Sequence, residues 1–327
     1  MLPFKLVYSD GYDLNLGSHV FPAQKYKIIQ QKCLTEGIAA PDDFLEPEPA
    51  PDADILRVHT QEWTRKLKQG KLSYFELLRL EVPYSHQLVR AFWLSAGGST
   101  LAARRALAEG CAFNFGGGFH HAFPDHGEGF CAINDVAVAI RRLQVDRAIE
   151  TALVVDLDVH QGNGTAAIFG GDASVYTLSL HQENNYPYPK PPSDLDVNLP
   201  DGIADGDYLR LLRQALDKAF TDFSKSADKR WLGRGAPHPQ EKPDLIFYLA
   251  GADPYREDQL GGLGLTIAGL GERDRIVLEA ARERSIPIAV TFAGGYARNT
   301  ADTVQIHTNT ILTARTCFKN LETTDAH

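Results

Sequence analysis

Short apolar runs alternate with amphipathic stretches along most of the chain. Four runs are apolar nearly throughout, as is typical of strands covered on both faces, namely 151–158, 174–180, 244–253 and 286–295. Helical patterns separate several of them, at 135–144, 207–223 and 271–284. A succession of strand, helix and strand predicts right-handed crossovers and a mostly parallel sheet. We therefore predict a single α/β domain over residues 1–327, with helices on both faces of the central sheet.

Three irregular stretches interrupt this pattern. They are polar and rich in Pro or Gly, and they lie at 41–54, 182–194 and 225–243. We expect all three to be surface loops. The second also contains two tyrosines, and loops of this length inside compact domains are often functional.

Charge and cysteine usage narrow the class of protein. The 327 residues carry 33 Lys+Arg against 42 Asp+Glu, a net charge of −9, which argues against general nucleic-acid binding. No stretch approaches the ~18 apolar residues of a membrane span, and the first residues lack the apolar core of a signal peptide. We therefore expect a cytoplasmic protein. Its cysteines form no CxxC pair and are expected to be reduced and buried: Cys33, Cys111, Cys131 and Cys317.

Polar residues follow the predicted strands where ligands bind in parallel sheets. Asp156, Asp158 and His160 share one face of an extended chain, and Asp253 follows a neighbouring run. Two carboxylates and an imidazole would repel or be desolvated without a cation. Three such ligands with an open fourth position are the arrangement of a catalytic zinc. The alternative is a run of solvated polar residues at the end of a strand.

Two further segments should reach the same edge of the sheet. The tandem His120 and His121 follow a glycine triplet and are candidates for proton transfer. Each needs a partner on its other ring nitrogen, and Asp156 and Asn163 are the candidates. Tyr296, in a Gly-Gly-Tyr turn, is placed to stabilise a developing oxyanion, although most such tyrosines serve in packing.

Four motifs resemble those of the zinc-dependent histone deacetylase superfamily and follow its order. They are GGGFHHAFPDHGEGFCAINDVAVA, VVDLDVHQGNG, AGADPYREDQLGGLGLT and FAGGYARNTAD. The His-Gln-Gly-Asn-Gly variant and the segment 258–263 resemble the class IV branch and its bacterial relatives. The resemblance implies the arginase/deacetylase fold, one zinc ion per chain and hydrolysis of an amide such as N-ε-acyl-lysine.

The resemblance also implies roles for individual residues. The zinc ligands are matched by Asp158, His160 and Asp253. His120 and His121 match the general acid/base pair, and Asp156 and Asn163 match the residues that support its two rings. Tyr296 matches the residue that polarises the scissile carbonyl. The walls of an acyl-lysine tunnel are matched by Gly129, Phe130 and Tyr188, or by Tyr186 in an alternative alignment. A structural potassium ion is implied near the zinc, with ligands from Asp156, Asp158, His160, Ser179 and Leu180.

Several alternatives remain open at this point. Polyamine-selective relatives carry an acidic residue where this chain has Leu260, so we rank an acylated lysine peptide or protein above a small acylated amine. The rim segment 78–86 offers Glu81 but no clear match to a peptide-gripping aspartate. A two-manganese, arginase-like centre would need an aspartate where this chain has Gly162. A non-catalytic acyl-lysine reader is a further alternative. The sequence determines neither the acyl length, from acetyl to long fatty chains, nor the oligomeric state.

Overall fold

An eight-stranded sheet forms the centre of the protein. The computed structural model describes residues 1–225 and 241–319. The strands are β1 (Lys5–Val7), β2 (Phe44–Leu45), β3 (Cys111–Asn114), β4 (Ala152–Asp156), β5 (Val175–Gln182), β6 (Leu195–Leu199), β7 (Leu245–Leu249) and β8 (Ile288–Thr291). Their order is β2-β1-β3-β8-β7-β4-β5-β6, and every neighbouring pair is parallel. The prediction of an α/β fold with a mostly parallel sheet is confirmed.

Helices connect the strands. In the described ranges they are α1 (Lys25–Thr35), α2 (Asp52–Ile55), α3 (Gln61–Gln69), α4 (Tyr74–Leu80), α5 (His86–Glu109), α6 (Asp135–Val145), α7 (Asn163–Phe169), α8 (Asp205–Lys225), α9 (Ile267–Glu283) and α10 (Thr300–Phe318). Side-chain caps start several of them: the Ser85 hydroxyl accepts the N–H of Leu88 in α5, and Asn134 accepts that of Ala137 in α6. None of these helices has the length and hydropathy to cross a membrane.

Alternate residues of each strand enter two different hydrophobic cores. Leu153 and Val155 of β4 face one core, and Val154 faces the other. The first core is closed by α1, α8, α9 and α10, and the second by α6 and the C-terminal half of α5. Helices therefore cover both faces, which explains why the central strands are apolar throughout. The four cysteines are free and buried, as predicted.

The loop predictions were only partly right. The stretch 41–54 contains β2 and all of α2 except its last residue. It also buries Asp43, whose carboxylate accepts the N–H groups of Leu2 and Ala40. The stretch 182–194 does connect two strands without regular structure. Most of 225–243, from 226 to 240, lies outside the described residues.

The strand order decides where the chemistry collects. β3, β8, β7 and β4 are neighbours in the middle of the sheet, and all point the same way. The segments that leave their carboxyl ends therefore meet in one crevice. These are the four segments that carry the motifs.

Candidate active site

Three side chains meet in the crevice beyond β4 and β7. Asp158 and His160 follow β4, and Asp253 follows β7. Each offers one ligand atom, and the three atoms lie within 4.8 Å of one another. The Nδ1 atom of His160 is 3.0 Å from Oδ1 of Asp158 and 3.5 Å from Oδ2 of Asp253. All three residues are buried, so one nitrogen and two oxygen ligands form a compact set.

The protein around this set pairs its carboxylates only in part. The N–H of Val159 donates to Oδ1 of Asp253 at 2.9 Å, but Oδ2 of Asp253 is buried and has no hydrogen-bond partner among residues 1–225 and 241–319. Burial, followed by the nearby Asp158 carboxylate, raises the pKa of Asp253. A divalent cation between the ligand atoms would give Oδ2 a partner and neutralise this charge. The residues therefore fit a metal ion, and their chemistry suits zinc.

The loop after β8 packs directly against the ligands because it contains glycine. The N–H of Gly294 donates to Oδ2 of Asp158 at 2.9 Å. A Cβ atom on Gly294 would lie 2.1 Å from Oδ2 of Asp253 and 2.6 Å from Oδ2 of Asp158. Any side chain at this position would displace both ligands.

Two adjacent imidazoles lie beside the ligand set. Nδ1 of His120 is 2.6 Å from Oδ2 of Asp156, and Nδ1 of His121 is 2.6 Å from Oδ1 of Asn163. The Nε2 atoms of the two rings are 3.1 Å apart. The structure thus places at the two rings the partners that the sequence proposed for them.

The two imidazoles differ in their electrostatic surroundings. Burial lowers the pKa of His120, but the carboxylates of Asp156 and Asp158 outweigh it and raise the pKa to about 9. Burial, followed by His120 and His160, lowers the pKa of His121 well below its usual value. The pKa values of the two rings are therefore shifted in opposite directions, and the ring with the raised pKa is the one that has a carboxylate partner.

A carboxylate that sequence reasoning missed lies behind Asn163. Glu128 accepts a short hydrogen bond from Nδ2 of Asn163, and its Oε2 atom is 3.7 Å from Nε2 of His126. The only signal in the sequence was an acidic residue shortly after the tandem histidines, in the segment Gly-Glu-Gly-Phe that ends at Phe130.

Tyr296 lies against the ligand set. Its ring centroid is 6.5 Å from that of His160 and 6.0 Å from that of Phe130. The Tyr296 N–H donates to Oδ2 of Asp258 at 2.7 Å, which fixes the turn that carries the ring. Burial, followed by the Asp158 carboxylate, raises the pKa of Tyr296, so its hydroxyl remains a hydrogen-bond donor at neutral pH.

A pocket of about 220 Å³ opens in front of these residues. Its walls include the residues expected there, Gly129, Phe130 and Leu260, together with Glu81 and Tyr186. Phe130 has a φ of 69°, a left-handed conformation that is uncommon for a bulky residue. The N–H groups of Gly129 and Phe130 donate to the last carbonyls of α4, which holds this wall in place.

The tyrosine of the wall is Tyr186, not Tyr188. The ring of Tyr186 packs edge-on against His121, with 5.0 Å between centroids. Tyr188 is 69% exposed, and its ring lies 4.3 Å from the Lys190 ammonium. The prediction of Tyr188 is corrected here, in favour of the alternative alignment.

A smaller cavity of about 20 Å³ lies on the inner side of the site. Phe21, Tyr26, Phe119 and Cys131 are among its lining residues. Lys25 is fully buried next to it and donates to the carbonyl of Ala293, another lining residue, at 2.8 Å. Burial lowers the pKa of Lys25 to about 8, against the attraction of nearby aspartates.

The residues proposed to bind potassium lie on neighbouring strands. Asp156 of β4 pairs with Ser179 of β5, and Leu180 follows on β5. The Ser179 hydroxyl is 3.0 Å from Nδ1 of His181. Among the described residues, the only group of three or more acidic, His or Cys side chains with metal-binding spacing is the set of Asp158, His160 and Asp253. The potassium site stays a prediction.

Comparison with known proteins bears on the whole arrangement. Residues 19–227 and 236–311 match the histone deacetylase domain. The chain belongs to the histone deacetylase family. An uncharacterized protein of Picosynechococcus sp. is 37% identical over 305 residues, which cover 93% of this chain and 96% of that protein. Histone deacetylase 2 of Arabidopsis thaliana is 29% identical over 313 residues, which cover 90% and 75% of the two chains.

Two further matches extend this result. A probable deacetylase of Methanothermobacter thermautotrophicus is 30% identical over 275 residues, which cover 78% of this chain and 75% of the relative. The crystal structure of the HDA15 HD domain shares the fold, with a TM-score of 0.77, 24% identity and coverage of 95% of this chain and 88% of that one. Membership of the histone deacetylase family supports a deacetylase-type amide hydrolase.

Proposed function

We propose that this protein is a zinc-dependent deacylase that hydrolyses the amide of N-ε-acyl-lysine and prefers short acyl groups. The observation that carries the proposal is the juxtaposition of an unbalanced metal-ligand set with a pair of imidazoles. The Nε2 atoms of His120 and His121 are 3.1 Å apart, and both rings lie in the crevice that holds Asp253. Retention of every ligand also argues against a non-catalytic reader.

Asp158, His160 and Asp253 would hold the zinc ion. When bound, zinc supplies Lewis-acid chemistry that polarises the amide carbonyl and makes a nearby water more acidic. A second, arginase-like metal would need an aspartate where this chain has Gly162. The site has no room for that side chain, because a Cβ atom at Gly162 would lie 2.4 Å from Oδ2 of Asp156.

The two histidines divide the proton transfers. His121 is neutral at physiological pH, so its Nε2 atom accepts the proton of the attacking water. His120 keeps its Nδ1–H on Asp156, carries a second proton on Nε2, and donates this second proton to the departing lysine amine. Since the two Nε2 atoms are in hydrogen-bond range, a proton passes between the rings to restore the pair.

Tyr296 stabilises the negative charge that develops on the carbonyl oxygen. The residue lies beside His160, and its hydroxyl keeps its proton because burial raises the pKa of the phenol. A fixed donor in a buried site is worth more than one in water, because no solvent has to reorganise. The hydrogen bond from its N–H to Asp258 fixes the turn that carries the ring.

Cavity size supports a short acyl group. The inner cavity of about 20 Å³ holds roughly one water-sized group, which suits the methyl of an acetyl group. The outer pocket of about 220 Å³ takes the lysine side chain between Phe130 and Tyr186. A myristoyl chain would require the aromatic lining of Phe21, Tyr26 and Phe119 to move apart.

A small N-acylated polyamine is a second candidate substrate. Leu260 offers no charge, but Glu81 lines the same outer pocket and gives it a carboxylate. Glu81 would attract a second ammonium group of the substrate. Substitution Glu81→Gln should then lower kcat/KM for an acetylated diamine more than for an acetyl-lysine peptide.

The test compares acetyl-lysine and myristoyl-lysine peptides with the zinc-loaded protein. We expect faster turnover of the acetyl peptide and loss of turnover in Tyr296→Phe. Faster myristoyl turnover would contradict the short-acyl preference. Absence of turnover of both peptides, with metal bound, would overturn the lysine-deacylase proposal and favour small amides.

A further inference from the structure

The amide of Asn163 lies between an imidazole and a carboxylate. Its Oδ1 atom is 2.6 Å from Nδ1 of His121, and its Nδ2 group donates to Oε1 of Glu128. An amide has a donor end and an acceptor end, and rotation by 180° exchanges them. An ionised carboxylate only accepts hydrogen bonds. Glu128 therefore permits just one of the two orientations of Asn163.

We propose that Glu128 is a positioning residue that fixes the tautomer of His121 through Asn163. With Oδ1 of Asn163 facing the ring, Nδ1 of His121 must carry the hydrogen. Nε2 of His121 is then left with a free lone pair towards His120. If Asn163 rotated, its Nδ2 group would require the opposite tautomer, and Nε2 would lose its capacity to accept a proton.

The surroundings of Glu128 suit an acceptor that stays in place. The side chain is 16% exposed, and its backbone exchanges two hydrogen bonds with Cys131, at 3.1 Å and 2.9 Å. Burial raises the pKa of Glu128, but the nearby His126, Asn163 and Tyr186 side chains outweigh burial and lower the pKa below its usual value. The carboxylate is therefore ionised at neutral pH.

The same carboxylate also orders the wall of the outer pocket. The pKa of the Tyr186 phenol is raised most by burial and then by the Glu128 carboxylate, which lies close to its hydroxyl, and the Tyr186 ring packs against His121. A purely structural role, in which Glu128 holds Tyr186 and the loop together, is thus the alternative explanation. The two explanations differ in whether the effect of Glu128 depends on an amide at position 163.

A double-mutant cycle with Glu128→Gln and Asn163→Asp separates them. In the wild-type background, Glu128→Gln replaces an acceptor-only group by an amide of equal size that permits both orientations of Asn163. We expect kcat to fall roughly 10- to 100-fold, with KM changed by less than about threefold. Asn163→Asp alone should also lower kcat, because it places two carboxylates in contact.

The sign of the effect should reverse in the Asn163→Asp background. There the introduced carboxylate accepts directly from Nδ1 of His121, so position 163 has no amide that needs to be oriented. Glu128→Gln then removes the repulsion between the carboxylates at positions 128 and 163. The double variant should therefore have a kcat at least about fivefold above that of Asn163→Asp alone. A fall in kcat by the same factor in both backgrounds, or no fall in the wild-type background, would overturn the proposal. Glu183→Gln, an exposed carboxylate on the loop of Tyr186, serves as the control and should stay within about twofold of wild type.

The kinetic experiments rest on the proposed function, because they require a substrate. A measurement that needs no substrate tests the role of Glu128 even if the proposed function is wrong. The ¹⁵N chemical shifts of the His121 ring report which nitrogen carries the hydrogen. We expect the Nδ1–H form in the wild-type protein and a mixture in Glu128→Gln. An unchanged Nδ1–H form in Glu128→Gln would overturn the positioning role, whether or not acyl-lysine is the substrate.

Discussion

Two clusters of buried charge lie close to the same two strands, β4 and β7, and they differ in one respect. The site cluster comprises Asp156, Asp158, His160 and Asp253. The arginine cluster comprises Arg273, Asp274, Tyr248 and Thr310. In the arginine cluster every charge is matched: Arg273 pairs with Asp274 at 2.7 Å, and the hydroxyls of Tyr248 and Thr310 donate to Asp274 at 2.5 Å and 2.6 Å.

In the site cluster, the carboxylates are not all paired in this way with hydrogen-bond donors or cations of the protein. In the part of the chain that the structure describes, Oδ2 of Asp253 has no hydrogen-bond partner, whereas both carboxylate oxygens of Asp274 have one. The two clusters also touch, because Arg273 donates to the carbonyls of Gly251, at 2.6 Å, and Leu157, at 3.4 Å. Burial of charge therefore does not distinguish a functional site from a structural one. A functional site is distinguished instead by buried charge that protein groups leave unbalanced, because a bound cation is needed to balance that charge.

The largest effect should come from neutralising the unbalanced carboxylate. Asp253→Asn removes a proposed zinc ligand, and we expect kcat/KM on an acetyl-lysine peptide to fall about 10⁴-fold. The metal-free variant should nevertheless be at least as stable as the metal-free wild type, because a neutral amide replaces a buried carboxylate that is only partly hydrogen-bonded. Urea unfolding in the presence of a chelator measures this. A metal-free variant that is clearly less stable would show that the two clusters do not differ as described.

In the arginine cluster, removal of one charge should lower the stability of the protein. Arg273→Met leaves the fully buried Asp274 without its cation, and we expect a loss of roughly 3 to 5 kcal/mol in the free energy of unfolding. Arg275→Met is the matched control, since Arg275 pairs with Glu272 and Glu279 at the surface and should cost less than about 1 kcal/mol. Equal losses in the two variants would refute the special status of the buried pair.

Removal of the hydroxyl beside the site cluster should affect rate without affecting stability. Tyr296→Phe keeps the packing of the ring against Phe130 and His160 but removes the donor for the developing oxyanion. We expect kcat to fall roughly 10²- to 10³-fold, with an unfolding midpoint close to that of wild type. Single-turnover hydrolysis of an acetyl-lysine peptide gives the rate. Retention of more than about a third of the activity would remove Tyr296 from the mechanism.

A buried imidazole outside both clusters should give the smallest effect. Nδ1 of His59 is 2.9 Å from the carbonyl of Phe123, Nε2 accepts the N–H of Asn134, and burial lowers the pKa of His59 to about 4. The unfolded chain therefore binds a proton between about pH 6.5 and 4 that the folded protein does not, and stability is lost as the pH falls through this window. The loss reaches about 3 kcal/mol at most.

His59→Gln tests this linkage. The variant lacks the titrating ring, so the dependence of its unfolding free energy on pH should be flatter than that of wild type between about pH 6.5 and 4. Parallel curves for the two proteins would show that His59 is not the group that takes up the proton.

The two clusters also differ in how far the sequence predicts their members. Asp158, His160 and Tyr296 lie in short segments directly after apolar runs, so the topology of a parallel sheet predicts their meeting. Arg273 lies in an amphipathic helical pattern, where a charged residue is normally solvent-facing, and only tertiary packing buries it. Glu128 lies in a loop, and loop geometry has no period from which a contact with Asn163 could be predicted.

The same reasoning accounts for the elements that were missed. β1 and β2 have three and two residues, too few for any periodicity to show. The choice between Tyr186 and Tyr188 depended on which way alternate residues of a proline-rich loop point, and the sequence offers no signal for this. The central strands were found because burial on both faces leaves a continuous apolar run.

The position of β8 has a consequence for how this protein is made. β8 lies between β3 and β7, yet it is the last strand in the described part of the chain. A ribosome must therefore pass residue 291 before β2-β1-β3 and β7-β4-β5-β6 can join. Until then the flanks of β3 and β7 are unpaired edges that invite aggregation. The tandem histidines follow a strand of one half, and the proposed metal ligands follow strands of the other. The candidate active site therefore assembles only when β8 is inserted between the two halves.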